Sequence, residues 1–133
     1  MDIADKLYAL ALEAEKNAYA PYSGFHVGAA ILADNLQIYT GCNVENVSFP
    51  CGTCAETGAI SSMVAHGAKK ILEILIVANG EELIYPCGVC LQRIAEFSDE
   101  RTIIRLANFS GIQKTLTLQE LLPYKFNSKE LKK

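Results

Sequence analysis

The sequence predicts an α/β fold, a three-layer α-β-α sandwich around a mixed central sheet. Three observations carry that reading. Two strand-like runs, His26–Ala33 and Gln37–Val44, meet at Asp34-Asn35, a pair suited to a tight hairpin turn. The run ILEILIVA, Ile71–Ala78, has the branched apolar content of a buried strand. Helix-like segments then alternate with strands, and a hairpin joined to such alternation gives a mixed sheet with helices on both faces. At 133 residues the chain makes one domain, residues 1–133, without internal repeat, low-complexity segment or linker.

Taken in order, Asp2 caps a first helix over residues 3–17 with Ile3, Leu7, Leu10, Ala11 and Ala14 on one face. Ala20-Pro21-Tyr22-Ser23-Gly24 breaks it, and the hairpin follows. A second helix starts near Thr53 and ends at His66, with Gly67 as its stop signal. After the Ile71–Ala78 strand, a third helix runs from Cys87-Gly88 to Phe97. A strand at Thr102–Ala107 and a short helix, Leu118–Leu122, stopped by Pro123, complete the order α-β-β-α-β-α-β-α.

Half of the residues are apolar and a fifth are charged, and the mean hydropathy is positive. For a small domain this points to apolar surface buried between subunits, with a core-heavy monomer as the plainer alternative. A net charge of −3 argues against a binder of nucleic-acid backbones. The opening residues MDIADKLYALALEAEK carry charges every few positions, so they hold no signal-peptide core, and no apolar run approaches a membrane span. The expectation is a cytoplasmic protein without nucleic-acid or membrane partners. Five cysteines in such a chain read as metal chemistry before disulfides.

Those cysteines fall mainly in FPCGTCAET, Phe49–Thr57, and PCGVC, Pro86–Cys90. Cys54 opens one helix, and Cys87 and Cys90 lie in the first turn of the next. Both helices follow strands, so their N-termini can meet at one edge of the sheet, where α/β ligand sites form. Helix N-termini stabilise thiolates, and three converging thiolates suit zinc. If Cys51 is a fourth ligand, the site is closed and structural, and the protein is a non-enzymatic four-cysteine interaction module. If Cys51 stays out, Glu56 is the informative residue, because a carboxylate in the first turn beside an open metal position can carry protons. A redox role is weaker, since two Cys-x-x-Cys motifs facing one site chelate before they cycle. Cys42 reads as a small buried thiol, and His26 and His66 read as lone histidines without a ligand role.

Cys54-Ala55-Glu56 followed by Pro86-Cys87-Gly88-Val89-Cys90 matches the zinc-dependent deaminase pattern. With Pro21–Ala30 (PYSGFHVGAA), Gly41–Asn46 (GCNVEN) and Glu120–Phe126 (ELLPYKF), the chain resembles the small homotetrameric cytidine deaminases along nearly its whole length. The resemblance implies hydrolytic deamination of cytidine and deoxycytidine to uridine and deoxyuridine in pyrimidine salvage, releasing ammonia. It implies one zinc per subunit on Cys54, Cys87 and Cys90, with Cys51 a decoy and Glu56 shuttling protons. Asn43 and Glu45 would hold the sugar, Phe25 would flank the nucleoside, and the Ala55 carbonyl would meet the amine. Phe126 would reach a neighbour's site in a homotetramer. Another aminated nucleoside, or a nucleoside antibiotic of the blasticidin S type, is the alternative substrate.

Three positions depart from the family. Thr57 and Leu91 stand where arginines are usual, and Phe49 stands where an aromatic hydroxyl is common. Zinc with three thiolates is a net anion, which those arginines would offset. Arg93, one turn beyond Cys90, is a candidate partial substitute; the plainer reading is an exposed pair with Glu96 at i,i+3.

Overall fold

A computed structural model describes residues 1–132. Helix α1 spans Ile3–Lys16, strands β1 and β2 span Val27–Ala33 and Ile38–Cys42, and α2 spans Ala55–Ala65. Strand β3 is Ile71–Ala78, α3 is Gly88–Glu96, β4 is Ile103–Asn108, β5 is Gly111–Thr117 and α4 is Leu118–Leu121. Short 3-10 turns lie at Phe49–Cys51 and Ser128–Lys132.

The five strands form one sheet in the order β2-β1-β3-β4-β5. Only β3 and β4 pair in parallel, and the other pairs are antiparallel, so the sheet is mixed as predicted. Alternation within the apolar strands divides two cores. Ala29, Ile31, Ile74 and Ile76 point to the α2–α3 face, with Ala59, Met63 and Ile94. Ala30, Leu75 and Val77 point to α1, against Leu7 and Ala11. A strand buried on both faces is apolar on both, which is why Ile74–Ala78 shows no alternation, whereas Glu73, at the half-buried end of β3, pairs with Arg105. Full burial of such side chains stabilises the fold by roughly 1.5–3 kcal/mol each.

Two glycines let helices lie close on the sheet. A Cβ at Gly28 would stand 2.1 Å from the Ala11 carbonyl oxygen of α1. A Cβ at Gly41 would stand 2.3 Å from Ala59 N and 2.5 Å from the Ala55 carbonyl oxygen, so α2 packs backbone to backbone on β2.

Local expectations fared unevenly. Asp2 caps α1, accepting from Asp5 N at 2.9 Å, and Gly67 ends α2 with φ 92°. On α1, however, Leu10 is 40 % exposed while Glu15 is buried; the buried stripe follows Leu7, Ala11 and Glu15 at four-residue steps. The hairpin turns through Asp34–Gln37, with Leu36 rather than Asn35 left-handed, at φ 64°. The second strand ends at Cys42; Val44 makes only single bridges, to Tyr19 and Thr53.

Strand β5 is absent from the predicted order and belongs between β4 and α4. It is an edge strand whose central residues are exposed, so packing demands no apolar alternation from it. The chain reverses into it through Asn108, whose Oδ1 accepts from Ser110 N at 2.9 Å, and through Gly111, at φ 117°.

Candidate active site

The N-termini of α2 and α3 open on one cavity of about 550 Å³. Its wall holds Phe25, Asn43, Glu45, Cys54, Ala55, Glu56, Cys87 and Cys90, residues from every predicted motif except the C-terminal one. Cys54 is the N-cap of α2 and Cys87 the N-cap of α3, so both thiols stand where helix N–H groups are unpaired. The Cys54 side chain makes no capping bond and is free to point elsewhere. Cys87 Sγ accepts from Cys90 N at 3.5 Å, which folds the Cys-x-x-Cys turn onto itself.

The three thiols meet at Cys90, whose Sγ is in hydrogen-bond contact with both Cys54 and Cys87. Cys90 is buried, whereas Cys54 and Cys87 are exposed. Burial pushes the Cys90 thiol far up, and the adjacent Glu56 carboxylate and the other two thiols push it further. Glu56 is 5 % exposed. Burial raises its carboxyl above the ordinary range, against the opposing pull of its own backbone N–H, a bond to Cys90 and the charge of Arg93. Burial thus disfavours the charged form of both groups.

Among the described residues, no three His, Cys, Asp or Glu side chains are already spread as a metal cluster. Thiols bonded to one another must lose their protons before they can close on a cation. The donor set nonetheless suits zinc: three thiols at two helix N-termini, one wall of a cavity, and a carboxylate that is not needed as a fourth ligand. Cys51 does not line that cavity; it is exposed in the 3-10 turn, 3.6 Å from Ser48 Oγ.

The opposite wall is held by side-chain bonds to backbone. Asn43 Oδ1 accepts from Val27 N at 2.9 Å, and its Nδ2 donates to the Phe25 carbonyl at 2.8 Å. Asn43 thus ties the entry of β1 beneath Phe25 and keeps one amide N–H for a ligand. Glu45 accepts from Tyr22 N at 3.0 Å, Ser23 N at 3.1 Å and the Ser23 hydroxyl. These bonds, led by the serine hydroxyl, hold its carboxyl below the usual range, so it stays ionised. Tyr22, Ser23, Ile84 and Tyr85 also line the cavity and were not singled out from sequence. Ile84 and Tyr85 follow the C-terminal end of β3, the position that favours ligand contact in α/β sheets.

Phe126 does not line the cavity of its own chain. Its ring is 59 % exposed, while its carbonyl accepts from Gln92 Nε2 at 2.8 Å. Phe49 lies on the rim, edge-on to Tyr22 with ring centroids 6.3 Å apart. Arg93 does not pair with Glu96; its Nη1 donates to Thr57 Oγ1 at 2.8 Å.

A family model of the cytidine and deoxycytidylate deaminase zinc-binding region matches residues 1–106. The chain belongs to that family. It carries a zinc-binding deaminase domain and is an enzyme of this type. It is 40 % identical over 131 residues to a cytidine deaminase of Sporosarcina psychrophila, covering 98 % of this chain and 96 % of that one. A cytidine deaminase of Halalkalibacterium halodurans is 36 % identical over 121 residues, covering 91 % and 92 %. The crystal structure of a Burkholderia pseudomallei cytidine deaminase superposes with a TM-score of 0.88 at 35 % identity, covering 95 % of this chain and all of that one. The mixed five-strand sheet with its flanking helices is the fold of these deaminases.

Proposed function

We propose that the enzyme deaminates free cytidine and deoxycytidine, with Cys54, Cys87 and Cys90 as zinc ligands and Glu56 as the proton carrier. One observation carries this: a buried carboxylate, Glu56, stands in hydrogen-bond contact with the buried thiol of a three-cysteine set on a cavity wall. Zinc in such a set supplies the Lewis acidity that makes water a nucleophile near neutral pH. Glu56 takes a proton from the attacking water as oxygen bonds to ring C4. It delivers that proton to ring N3, then takes a second proton from the new C4 hydroxyl and passes it to the exocyclic amine, so that the C4–N bond breaks, ammonia leaves and the C4 carbonyl forms. Glu45 and Asn43 offer the sugar hydroxyls an ionised acceptor and an N–H donor. Phe25 gives the base an apolar neighbour.

Among the described residues, no Lys, Arg or His lines the cavity, while two carboxylates do. That favours an uncharged nucleoside over a phosphorylated one. Apolar side chains are exposed at Val47, Val89 and Phe126 and at Phe49 on the cavity rim. They support a homotetramer in which Phe126 reaches the site of a neighbouring subunit. No helix among the described residues is long and apolar enough to cross a membrane. A thiol set that must stay reduced fits the cytoplasm, and the reaction fits pyrimidine salvage.

The test is cytidine turnover, followed by the fall in absorbance as uridine forms, with zinc measured on each protein. Wild type should carry about one zinc per chain and turn over. Glu56→Ala should keep zinc and lose at least roughly a hundredfold in kcat, the lower range for a general acid–base. Cys51→Ser should match wild type in both. Zinc lost from Cys51→Ser, with wild type inactive, would instead indicate a closed four-cysteine site.

A further inference from the structure

Arg93 is an exposed residue on α3 with no ion-pair partner; the ion pairs among the described residues are Lys70–Asp99 and Arg105–Glu73. It nonetheless has a definite direction. Its Nη1 reaches across to Thr57 Oγ1 at 2.8 Å. Thr57 is the third residue of α2 after the Cys54 cap, and Arg93 lies one turn beyond Cys90. The bond therefore joins the first turn of α2 to α3 just behind the place where Cys54 and Glu56 meet Cys90. Its cation also acts on Glu56 through space. Among the described residues no cation lines the cavity itself, and Arg93 is a positive side chain that acts on Glu56 from behind the wall.

We infer that Arg93 is a positioning residue that, through Thr57, holds the helix bearing Cys54 and Glu56 in register with the helix bearing Cys87 and Cys90. A guanidinium suits this task because its fork is planar and permanently charged, so the hydroxyl is held in a fixed direction while the charge acts on Glu56. Thr57 is the acceptor, and its hydroxyl leaves the remaining guanidinium donors free. Three thiolates on zinc would make a net anion, and the contact keeps a positive charge near Glu56, beside them, without filling the cavity. This inference rests on the zinc reading above.

Arg93→Gln, Arg93→Lys, Thr57→Val and the Thr57→Val/Arg93→Gln pair distinguish a positioning role from simple helix packing. The quantities measured are the rate of zinc loss to a colorimetric chelator, kcat and KM for cytidine, and the melting temperature of the zinc-stripped protein. Arg93→Gln should lose zinc about tenfold faster, the factor expected for one charge-assisted hydrogen bond. Its kcat should fall by a similar factor with KM little changed. The double variant should be no worse than Arg93→Gln, because the hydroxyl acts through the guanidinium. Arg93→Lys should restore part of the loss by its charge alone. The melting temperature of stripped protein should stay at the wild-type value in all four.

Zinc loss and kcat at wild-type levels in Arg93→Gln would overturn the inference while leaving the zinc reading intact. A fall in stripped-protein melting temperature that accounts for the faster zinc loss would overturn it too, by reducing the contact to packing. A wild type that binds no zinc would overturn the zinc reading and this inference together.

Discussion

At the residue scale, Glu45 shows how a side chain on the cavity wall can also shape the fold. Its carboxylate gathers Tyr22 N, Ser23 N and the Ser23 hydroxyl, which shapes the loop before β1 and lowers its proton affinity. A folded-state pKa below the unfolded one means that stabilisation is fully present above the unfolded value, about 4.5. It is lost as pH falls through the lower folded value. The melting temperature of Glu45→Gln should therefore lie below that of wild type at pH 6, and the gap should narrow as the pH falls below about 4.5. A gap that widens towards acid would sink this account. KM for cytidine should rise about tenfold in the variant, the size of one hydrogen bond to a charged group. Much of this wall was readable from sequence, since Asn43 and Glu45 at i,i+2 share one side of an extended chain. The backbone bonds that occupy Asn43 were not, because they depend on where Phe25 and Val27 arrive from another strand. Arg93 illustrates the same limit. Spacing along one helix suggested Glu96 as its partner, and the actual acceptor, Thr57, is thirty-six positions away on another helix.

At the element scale, the fit of α2 on β2 decides whether Cys54 and Glu56 reach the cavity at all. Helix α2 approaches through Gly41, where an added Cβ would meet backbone atoms of Ala55 and Ala59 rather than a yielding side chain. Gly41→Ala should therefore push α2 off the sheet, costing about 1–3 kcal/mol and loosening zinc with it. Gly58, inside α2, faces the same contact from the helix side, but a Cβ there would lie 3.5 Å from Gly41 Cα, an ordinary distance. Gly58→Ala should be neutral or stabilise by up to about 1 kcal/mol, through helix propensity and a less flexible unfolded chain. Thermal melts of the two variants with matched zinc content provide the check, and the same sign for both would contradict this packing. Strands buried on two faces and capped helices were legible because burial and caps dictate residue type position by position. Strand β5 was not, because pairing along one open edge constrains backbone more than side chains.

At the scale of the whole molecule, one chain gathers Cys54, Cys87, Cys90, Glu56, Asn43 and Glu45 on one cavity but leaves exposed apolar side chains, Phe49 among them, at that cavity. The rings of Phe49, Tyr124 and Phe126 are exposed, and the proposed homotetramer would bury apolar surface of this kind between subunits. In a homotetramer with shared sites, Phe126 acts on a neighbour, and genetics in trans can read this directly. A Phe126→Ala chain keeps its own Glu56, and a Glu56→Ala chain keeps its own Phe126. Each homo-oligomer should be impaired, Phe126→Ala through a KM raised about tenfold by lost ring contact with the ligand, and Glu56→Ala through kcat. When the two chains are co-expressed, the mixed oligomer contains sites that pair an intact Glu56 with a Phe126 from the adjacent subunit. Part of the activity should then return with a wild-type KM, in proportion to the fraction of mixed oligomers counted by native mass spectrometry. If Phe126 acted within its own chain, every Glu56-bearing site in the mixture would still lack it. The KM would stay raised whatever the degree of mixing, and the shared-site assembly would be wrong.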